Sequence, residues 1–293
     1  MSEPVTVYEV GPRDGLQNEP GLVPTADKVA LIDLLSATGL TRIEATSFVS
    51  PKWVPQMADA AAVMAGIRRA PGVRYAVLTP NLRGFEAARA AGADEVAIFA
   101  SASEGFSARN INCSIAESLA RFAPVAEAAR AAGLPLRGYV SCVVECPYDG
   151  PVAPEAVAAV ATALLAAGCY AVSLGDTIGR GTPEAVDRLL AHLTGTIDPA
   201  RLAGHFHDTG GRALDNVAVA LGHGLRTFDS AIGGLGGCPY APGARGNVST
   251  VPLARMLAAG GWRTGLDLAA LERAEAFMAG HVAAARQPAG VAR

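Results

Sequence analysis

Two histidines one residue apart, His205 and His207, are the sharpest chemical signal in this chain of 293 residues. In an extended strand, residues i and i+2 point to the same face, so both imidazoles would flank one point. Neutral imidazoles commonly bind divalent metals, and a carboxylate from Asp14 could complete the set. Two hydrogen-bonded core histidines would show the same spacing, so the metal reading depends on Asp14 reaching them. Mixed oxygen and nitrogen donors without cysteine favour Mg²⁺ or Mn²⁺ over structural zinc.

Arg13 precedes Asp14. On a surface the two would form an ion pair in a turn. At the mouth of a site, a fixed guanidinium beside a metal-binding carboxylate can hold a substrate oxygen that develops negative charge, such as that of an enolate. Cys238 stands in Gly233-Gly234-Leu235-Gly236-Gly237-Cys238-Pro239-Tyr240, whose glycines permit a mobile loop. One of five cysteines, it is either a small apolar filler or a reactive thiol carried over the site.

Composition removes several alternatives. Of the 24 basic residues only Lys28 and Lys52 are lysines, one early in a helical pattern and one in a turn, which disfavours Schiff-base, pyridoxal-phosphate and biotinyl chemistry. A net charge of -3 without long runs of like charge argues against a nucleic-acid groove or an anionic membrane surface. No stretch approaches the roughly 18 apolar residues of a membrane span. The odd, dispersed cysteines indicate a reducing compartment, and Met1 to Pro4 runs directly into a strand pattern without a targeting segment, so a cytoplasmic location is expected.

These side chains need a scaffold that gathers them. Apolar runs suited to strands recur at Val5–Val10, Arg42–Thr46, Val73–Thr79, Glu95–Ala100, Leu136–Val143, Ala171–Leu174, Leu202–His207 and Arg226–Ile232. Helical patterns lie between them at Thr25–Thr38, Ala58–Arg69, Leu82–Ala91, Ser114–Ala132, Pro154–Ala167, Pro183–Leu193, Ala213–Leu221 and Val251–Ala259. Eight strand–helix repeats predict an α/β fold, a single closed (β/α)8 TIM barrel over residues 1–293, because an open parallel sheet of that size would leave two edges to cover. The first turn, Gly11-Pro12-Arg13-Asp14-Gly15, is not a dinucleotide-binding glycine turn. A further helix at Leu266–Ala285 lies within a C-terminal extension, residues 262–293. Barrel chemistry sits at the C-terminal strand ends, and there this sequence places Arg13, Asp14, Glu44, Ser47, Thr79, Asn81, Ser141, Cys142, Asp176, Thr177, His205, His207, Asp208, Cys238 and Asn247.

Several long motifs carry a resemblance. Gly11-Pro12-Arg13-Asp14-Gly15-Leu16-Gln17-Asn18, the run from Glu44 to Met57, Asn110-Ile111-Asn112-Cys113-Ser114, Ser173-Leu174-Gly175-Asp176-Thr177-Ile178-Gly179 and the Cys238 loop together resemble the 3-hydroxy-3-methylglutaryl-CoA lyases, from about Val5 to Leu257. These belong to a branch of the metal-dependent TIM-barrel lyases and Claisen-type synthases. The resemblance implies cleavage of a coenzyme A thioester to acetyl-CoA and acetoacetate, as in leucine degradation and ketone-body formation. It implies metal ligands Asp14, His205, His207 and Asn247 for Mg²⁺ or Mn²⁺, Arg13 on the thioester carbonyl and Cys238 as the catalytic thiol. Glu44 and Asp176 match active-site positions and Gln17 the first-strand signature, so Arg13, Gln17, Glu44, Asp176 and Thr177 are the expected substrate-binding residues. Arg13, Asp14, His205, Glu44 and Cys238 are the expected catalytic set. Which of Asp14 and His205 takes the hydroxyl proton stays open here. A small-molecule partner and a homo-oligomer, a dimer first, are expected.

Departures are few. Gly210-Gly211 follows His207-Asp208-Thr209 where members often carry a larger residue, and Arg180 and Arg245 stand where some have smaller ones, near the expected acyl tail or coenzyme A phosphates. The C-terminal cysteine that some members use for redox control has no counterpart between Gln287 and Arg293. The rival readings are a lyase for longer 3-hydroxy-3-alkylglutaryl-CoA esters, a related aldolase or condensing synthase, and a non-catalytic barrel. The last would be expected to have lost one of Arg13, Asp14, His207 or Cys238.

Overall fold

The computed structural model describes residues 3–236 and 246–285, with side chains through His281. Eight parallel strands close into a barrel: β1 (Thr6–Glu9), β2 (Arg42–Ser47), β3 (Arg74–Leu78), β4 (Glu95–Ser101), β5 (Leu136–Ser141), β6 (Ala171–Asp176), β7 (Leu202–Phe206) and β8 (Thr227–Ser230). Each pairs with its neighbours in sequence, and β8 returns to β1 in the register Tyr8 to Asp229. The helices α1 (Thr25–Ser36), α2 (Ala60–Gly66), α3 (Leu82–Ala90), α4 (Glu104–Ile111), α5 (Ile115–Ala131), α6 (Pro154–Ala167), α7 (Pro183–Thr194), α8 (Ala213–Gly222) and α9 (Thr250–Ala259) follow the strands, and α10 (Leu268–Ala285) packs against α1 and α9. None among the described residues is long and apolar enough to cross a membrane.

All eight predicted strands form, with ends that differ by at most two residues. His207 lies one residue beyond β7 and is held by an isolated antiparallel bridge to Asn247, which replaces the strand continuation expected from the sequence. Helix α4 was not among the predicted helices; Ser103 caps it by accepting from Phe106 N–H, and Asn112 ends it in the left-handed conformation. A short hairpin, Glu145–Cys146 with Gly150–Pro151, sits above β5.

Alternation along the strands explains both the core and the site. Leu136 and Val140 of β5 join the apolar layer under the helices, whereas Arg137 and Tyr139 point into the barrel. Arg137 is 1% exposed and grips Asp229 of β8 with both terminal nitrogens, at 2.6 and 3.2 Å. Its guanidinium also lies 4.0 Å from the centre of the Tyr8 ring and donates to Tyr139 Oη at 3.0 Å. Ser173 of β6 donates to Asp229 at 2.7 Å. Burying such a pair costs solvation, which only this dense set of bonds offsets.

Arg137→Met leaves Asp229 as an unpaired charge in the barrel interior and is expected to destabilise the protein by about 3–5 kcal/mol. Adding Asp229→Leu should recover most of that loss. Urea unfolding measures both, and a loss below about 1 kcal/mol for Arg137→Met would show that the pair does not hold the interior together.

Candidate active site

The turn after β1 delivers the first functional side chains. The carbonyl of Val10 accepts from the N–H groups of Arg13, Asp14 and Gly15 at 3.1, 2.8 and 3.2 Å, winding Gly11–Gly15 into one wide helical turn. Gly11 is required because a Cβ there would lie 2.5 Å from Glu9 Oε1. Arg13 then reaches across to β2: its Nε donates to Glu44 Oε2 at 2.6 Å and its Nη1 to Asp14 Oδ1 at 2.7 Å. The Tyr139 ring centre lies 5.5 Å from the guanidinium. Two carboxylates thus fix the plane of Arg13, while Nη2 makes no hydrogen bond with the described residues.

Asp14 points the other way, toward β7. Its Oδ2 accepts from Asn247 Nδ2 at 2.8 Å and lies 3.9 Å from His205 Nε2. Asp14, His205 and His207 each present a donor atom within 4.8 Å of the others. The His205 and His207 ring centres are 5.4 Å apart. Burial would raise the Asp14 carboxyl, but Arg13 and the two histidines outweigh it and hold the group well below the usual carboxylate range.

Beneath His205 sits a residue that the sequence alone did not single out. His205 Nδ1 is 3.0 Å from Asp229 Oδ2. Burial would raise the Asp229 carboxyl, but Arg137 and His205 overcome it and keep the group ionised, so it can only accept. A proton therefore resides on Nδ1, and in the neutral ring Nε2 presents its lone pair on the Asp14 side. Burial pulls the His205 ring toward neutrality, yet the bond to Asp229 leaves its pKa raised overall. Burial and the neighbouring His205 push His207 down to about 4, so its ring is neutral near pH 7.

The arrangement fits a divalent cation. His207 Nδ1 and Asn247 Oδ1 are both buried without a hydrogen-bond partner among the described residues, an unfavourable state for polar atoms unless they have a ligand. Beside them lie the Asp14 carboxylate and His205 Nε2, giving oxygen and nitrogen donors of the kind Mg²⁺ or Mn²⁺ accepts. Gly236, at φ +99°, passes so close that a Cβ would sit 2.5 Å from Asn247 Nδ2. The glycine after β8 is therefore what lets the chain close over Asn247.

The remaining predicted residues divide. Gln17 and Thr177 line the same cavity of about 690 Å³ as Arg13, Asp14, His205 and His207. Glu44 is fully buried behind Arg13 and does not line the cavity. Asp176, 1% exposed, accepts from the N–H groups of Arg180 and Gly181 at 3.2 and 2.8 Å, shaping the turn after β6 that presents Thr177. Burial raises its carboxyl to about 6. Arg180 pairs with Glu145 at 2.7 Å. Cys238 and Arg245 lie outside the described residues.

Glu9, at the end of β1, joins the two loops of the site. It accepts from Gly11 N–H at 2.7 Å, Ile232 N–H at 2.9 Å and Thr250 Oγ1 at 2.6 Å. Burial pushes its carboxyl up to about 7, against these three bonds.

The HMGL-like family profile matches residues 4–278. The mitochondrial hydroxymethylglutaryl-CoA lyase of Gallus gallus is 59% identical over 264 residues, covering 90% of this chain and 89% of that one. A Pseudomonas aeruginosa protein described as a 3-hydroxy-3-isohexenylglutaryl-CoA/hydroxy-methylglutaryl-CoA lyase is 57% identical over 271 residues, covering 92% and 90%. The crystal structure of the HMG-CoA lyase from Brucella melitensis superposes with a TM-score of 0.94 at 62% identity, covering 95% of this chain and 99% of that one.

Glu9 makes stability depend on pH. A carboxyl at 4.5 in the unfolded chain and about 7 when folded keeps its proton longer in the folded state, so stability falls as pH rises through that window. The difference amounts to about 3 kcal/mol. In the metal-free protein, Glu9→Gln should flatten the loss of stability between pH 5 and 7.5, measured by urea unfolding. An unchanged slope would mean that Glu9 is already ionised in the folded state.

Proposed function

The chain belongs to the HMGL-like family, and from that premise we propose that it is a carbon–carbon lyase that cleaves 3-hydroxy-3-methylglutaryl-CoA to acetyl-CoA and acetoacetate. The observation that carries the reading is the convergence on one cavity of Arg13, held between two carboxylates, with Asp14, His205 and His207, the first of them bonded to Asn247. The proposal takes residues 1–293 as one barrel domain with residues 262–293 as its helical extension, acting on a small-molecule thioester in the cytoplasm as a homodimer. The dispersed cysteines support the compartment.

Asp14, His205, His207 and Asn247 would hold a divalent cation, Mg²⁺ or Mn²⁺. When bound it lowers the pKa of the substrate's tertiary hydroxyl and supports negative charge on oxygen. His205, with Nδ1 bonded to Asp229 and Nε2 in the donor set, has no nitrogen left for proton transfer. Asp14 Oδ1 accepts from Arg13 Nη1 but keeps a second lone pair, and we assign it the hydroxyl proton, whose transfer to so weak a base depends on the lowered pKa of the hydroxyl. As that proton leaves, the electron pair left on oxygen forms the ketone C=O of acetoacetate and the bond between C2 and C3 breaks. The released pair moves into the thioester as an enolate, and Arg13 Nη2 donates to its oxygen. Glu44 keeps the guanidinium in plane for that contact. Gln17 and Thr177 position the acyl group, and Asp176 acts through the turn that carries Thr177. Cys238, by its resemblance to the lyase thiol, supplies the proton that the acetyl carbon takes up.

Purified enzyme supplied with Mg²⁺ and a panel of 3-hydroxy-3-alkylglutaryl-CoA esters should release acetyl-CoA fastest from the 3-methyl ester; faster turnover of a longer ester would reassign the substrate. Chelation should abolish turnover, and Mg²⁺ or Mn²⁺ should restore it. Arg13→Lys keeps the charge but loses the planar fork, so kcat should fall about 100-fold or more with little change in KM. A raised KM at unchanged kcat would make Arg13 a ground-state anchor. Cys238→Ser should retain Mn²⁺ binding and lose most turnover; full activity would remove the thiol from the chemistry.

A further inference from the structure

We infer that Cys142 and Cys146 form a second chemical site, a dithiol behind the cavity wall that a hydroperoxide converts to a disulfide. The two side chains share one buried cluster with Phe106, and the thiols lie close enough to hydrogen-bond to each other. Neither lines the cavity, and neither takes part in the chemistry assigned to Cys238. Among the described residues, two that are not glycine adopt positive φ. Asn112 does so in ending α4, whereas Cys142, at +60°, follows β5 directly and donates its N–H to Thr177 Oγ1 at 2.8 Å. A residue with a Cβ is strained in that conformation, and here the strained residue carries a thiol turned toward Cys146.

The surroundings make Cys146 the sulfur that reacts first. The turn of the short hairpin wraps backbone onto it, so that Cys146 Sγ accepts from the N–H groups of Tyr148 and Asp149, both at 3.3 Å. Converging N–H groups of this kind favour a thiolate. Ser103 Oγ lies 2.8 Å from Cys146 Sγ and 2.6 Å from Asp149 Oδ2. A serine hydroxyl has one hydrogen and the carboxylate takes it, which leaves the Cys146 S–H to donate to Ser103 Oγ. The thiol proton thus has a path through Ser103 to an exposed carboxylate. Burial pushes the Cys142 thiol up to about 12, which keeps it protonated until its neighbour is oxidised.

Cys146 Sγ attacks one peroxide oxygen as the O–O bond breaks, giving a sulfenic acid, and the thiol proton ends on the departing oxygen as an alcohol or, from hydrogen peroxide, water. Cys142 Sγ then displaces the sulfenic oxygen, which leaves as water with the Cys142 proton. Two thiols are oxidised and one peroxide is reduced. The new bond draws the sulfurs to about 2.05 Å and takes the Cys146 hydrogen from Ser103. Ser103 caps α4, and Asp149 accepts from Gly105 N–H in its first turn. Phe106 of α4 and Thr177, the acceptor for Cys142 N–H, both line the cavity. Oxidation of the dithiol therefore displaces walls that receive the substrate.

Trypsin releases both cysteines, together with Cys169, in one peptide, Gly138–Arg180. After treatment of the whole enzyme with hydrogen peroxide and alkylation in denaturant, mass spectrometry should find Cys169 alkylated and Cys142 joined to Cys146. Dithiothreitol should return both to the alkylated form. In Cys142→Ala the reaction should stop at a sulfenic acid on Cys146, trapped by dimedone. Ser103→Ala and Asp149→Asn should each slow disulfide formation about tenfold. In kinetics, KM of the oxidised enzyme should rise about tenfold and recover with dithiothreitol, while Cys146→Ala given the same peroxide keeps the KM of its untreated form. Oxidation of Cys238, which both proteins share, lowers kcat in each alike and leaves this comparison intact. Alkylation of both cysteines after prolonged peroxide treatment, a rate indifferent to Ser103 and Asp149, or an unchanged KM would each overturn the inference. Should untreated enzyme cleave no ester, the lyase reading fails, while the peptide map still decides whether the dithiol reacts.

Discussion

The ion pair between Arg137 and Asp229 governs what the barrel interior can do. Both groups lie where water does not reach, so each charge is tolerable only because the other is within hydrogen-bond distance. Asp229, kept ionised by Arg137, is obliged to accept from His205 Nδ1, and this directs Nε2 toward Asp14. The position of a proton on one imidazole is thereby set by an arginine two strands away around the barrel. Such outer partners commonly orient metal-binding histidines, and here the partner is itself neutralised from within the core.

A second charge balance operates above the first. Arg13 stands between Glu44 and Asp14, so it stays charged and immobile despite burial. Its fork geometry matters: Nε and Nη1 serve the two carboxylates while Nη2 makes no hydrogen bond with the described residues, a division that an ammonium cannot reproduce. The loops bearing Arg13 and Asn247 are held in common by Glu9, through Gly11 on one side and Ile232 and Thr250 on the other. The donor set is thus fastened from below by Asp229 and from the side by Glu9.

Much of this was legible in the residues. Short runs rich in Val, Ile, Leu and aromatics, recurring between helical stretches, located all eight strands, and polar residues clustered at their C-terminal ends located the mouth. Helix α4 escaped because its start reads as polar loop chemistry, Ser103-Glu104-Gly105, and only the cap formed by Ser103 makes it helical. His207 read as strand because the antiparallel bridge to Asn247, forty residues on, has no local signature. Asp229 and Arg137 were missed for a similar reason: the pairing is made across the barrel. The usable signal was the alternation itself, which puts Arg137 and Asp229 on the inward face of apolar strands, where each charge requires a partner. Glu44 and Asp176 were recognisable by resemblance, but only the coordinates separate support of Arg13 and of a turn from contact with the cavity.

The donors of Asp14, His205, His207 and Asn247 are expected to take one cation between them. Anomalous diffraction from crystals soaked in Mn²⁺ tests it directly. A single strong peak is expected about 2.0–2.3 Å from one oxygen of Asp14, His205 Nε2, a His207 nitrogen and Asn247 Oδ1. A peak elsewhere, or no peak there at saturating Mn²⁺ with Asn247 Nδ2 still on Asp14, would contradict it.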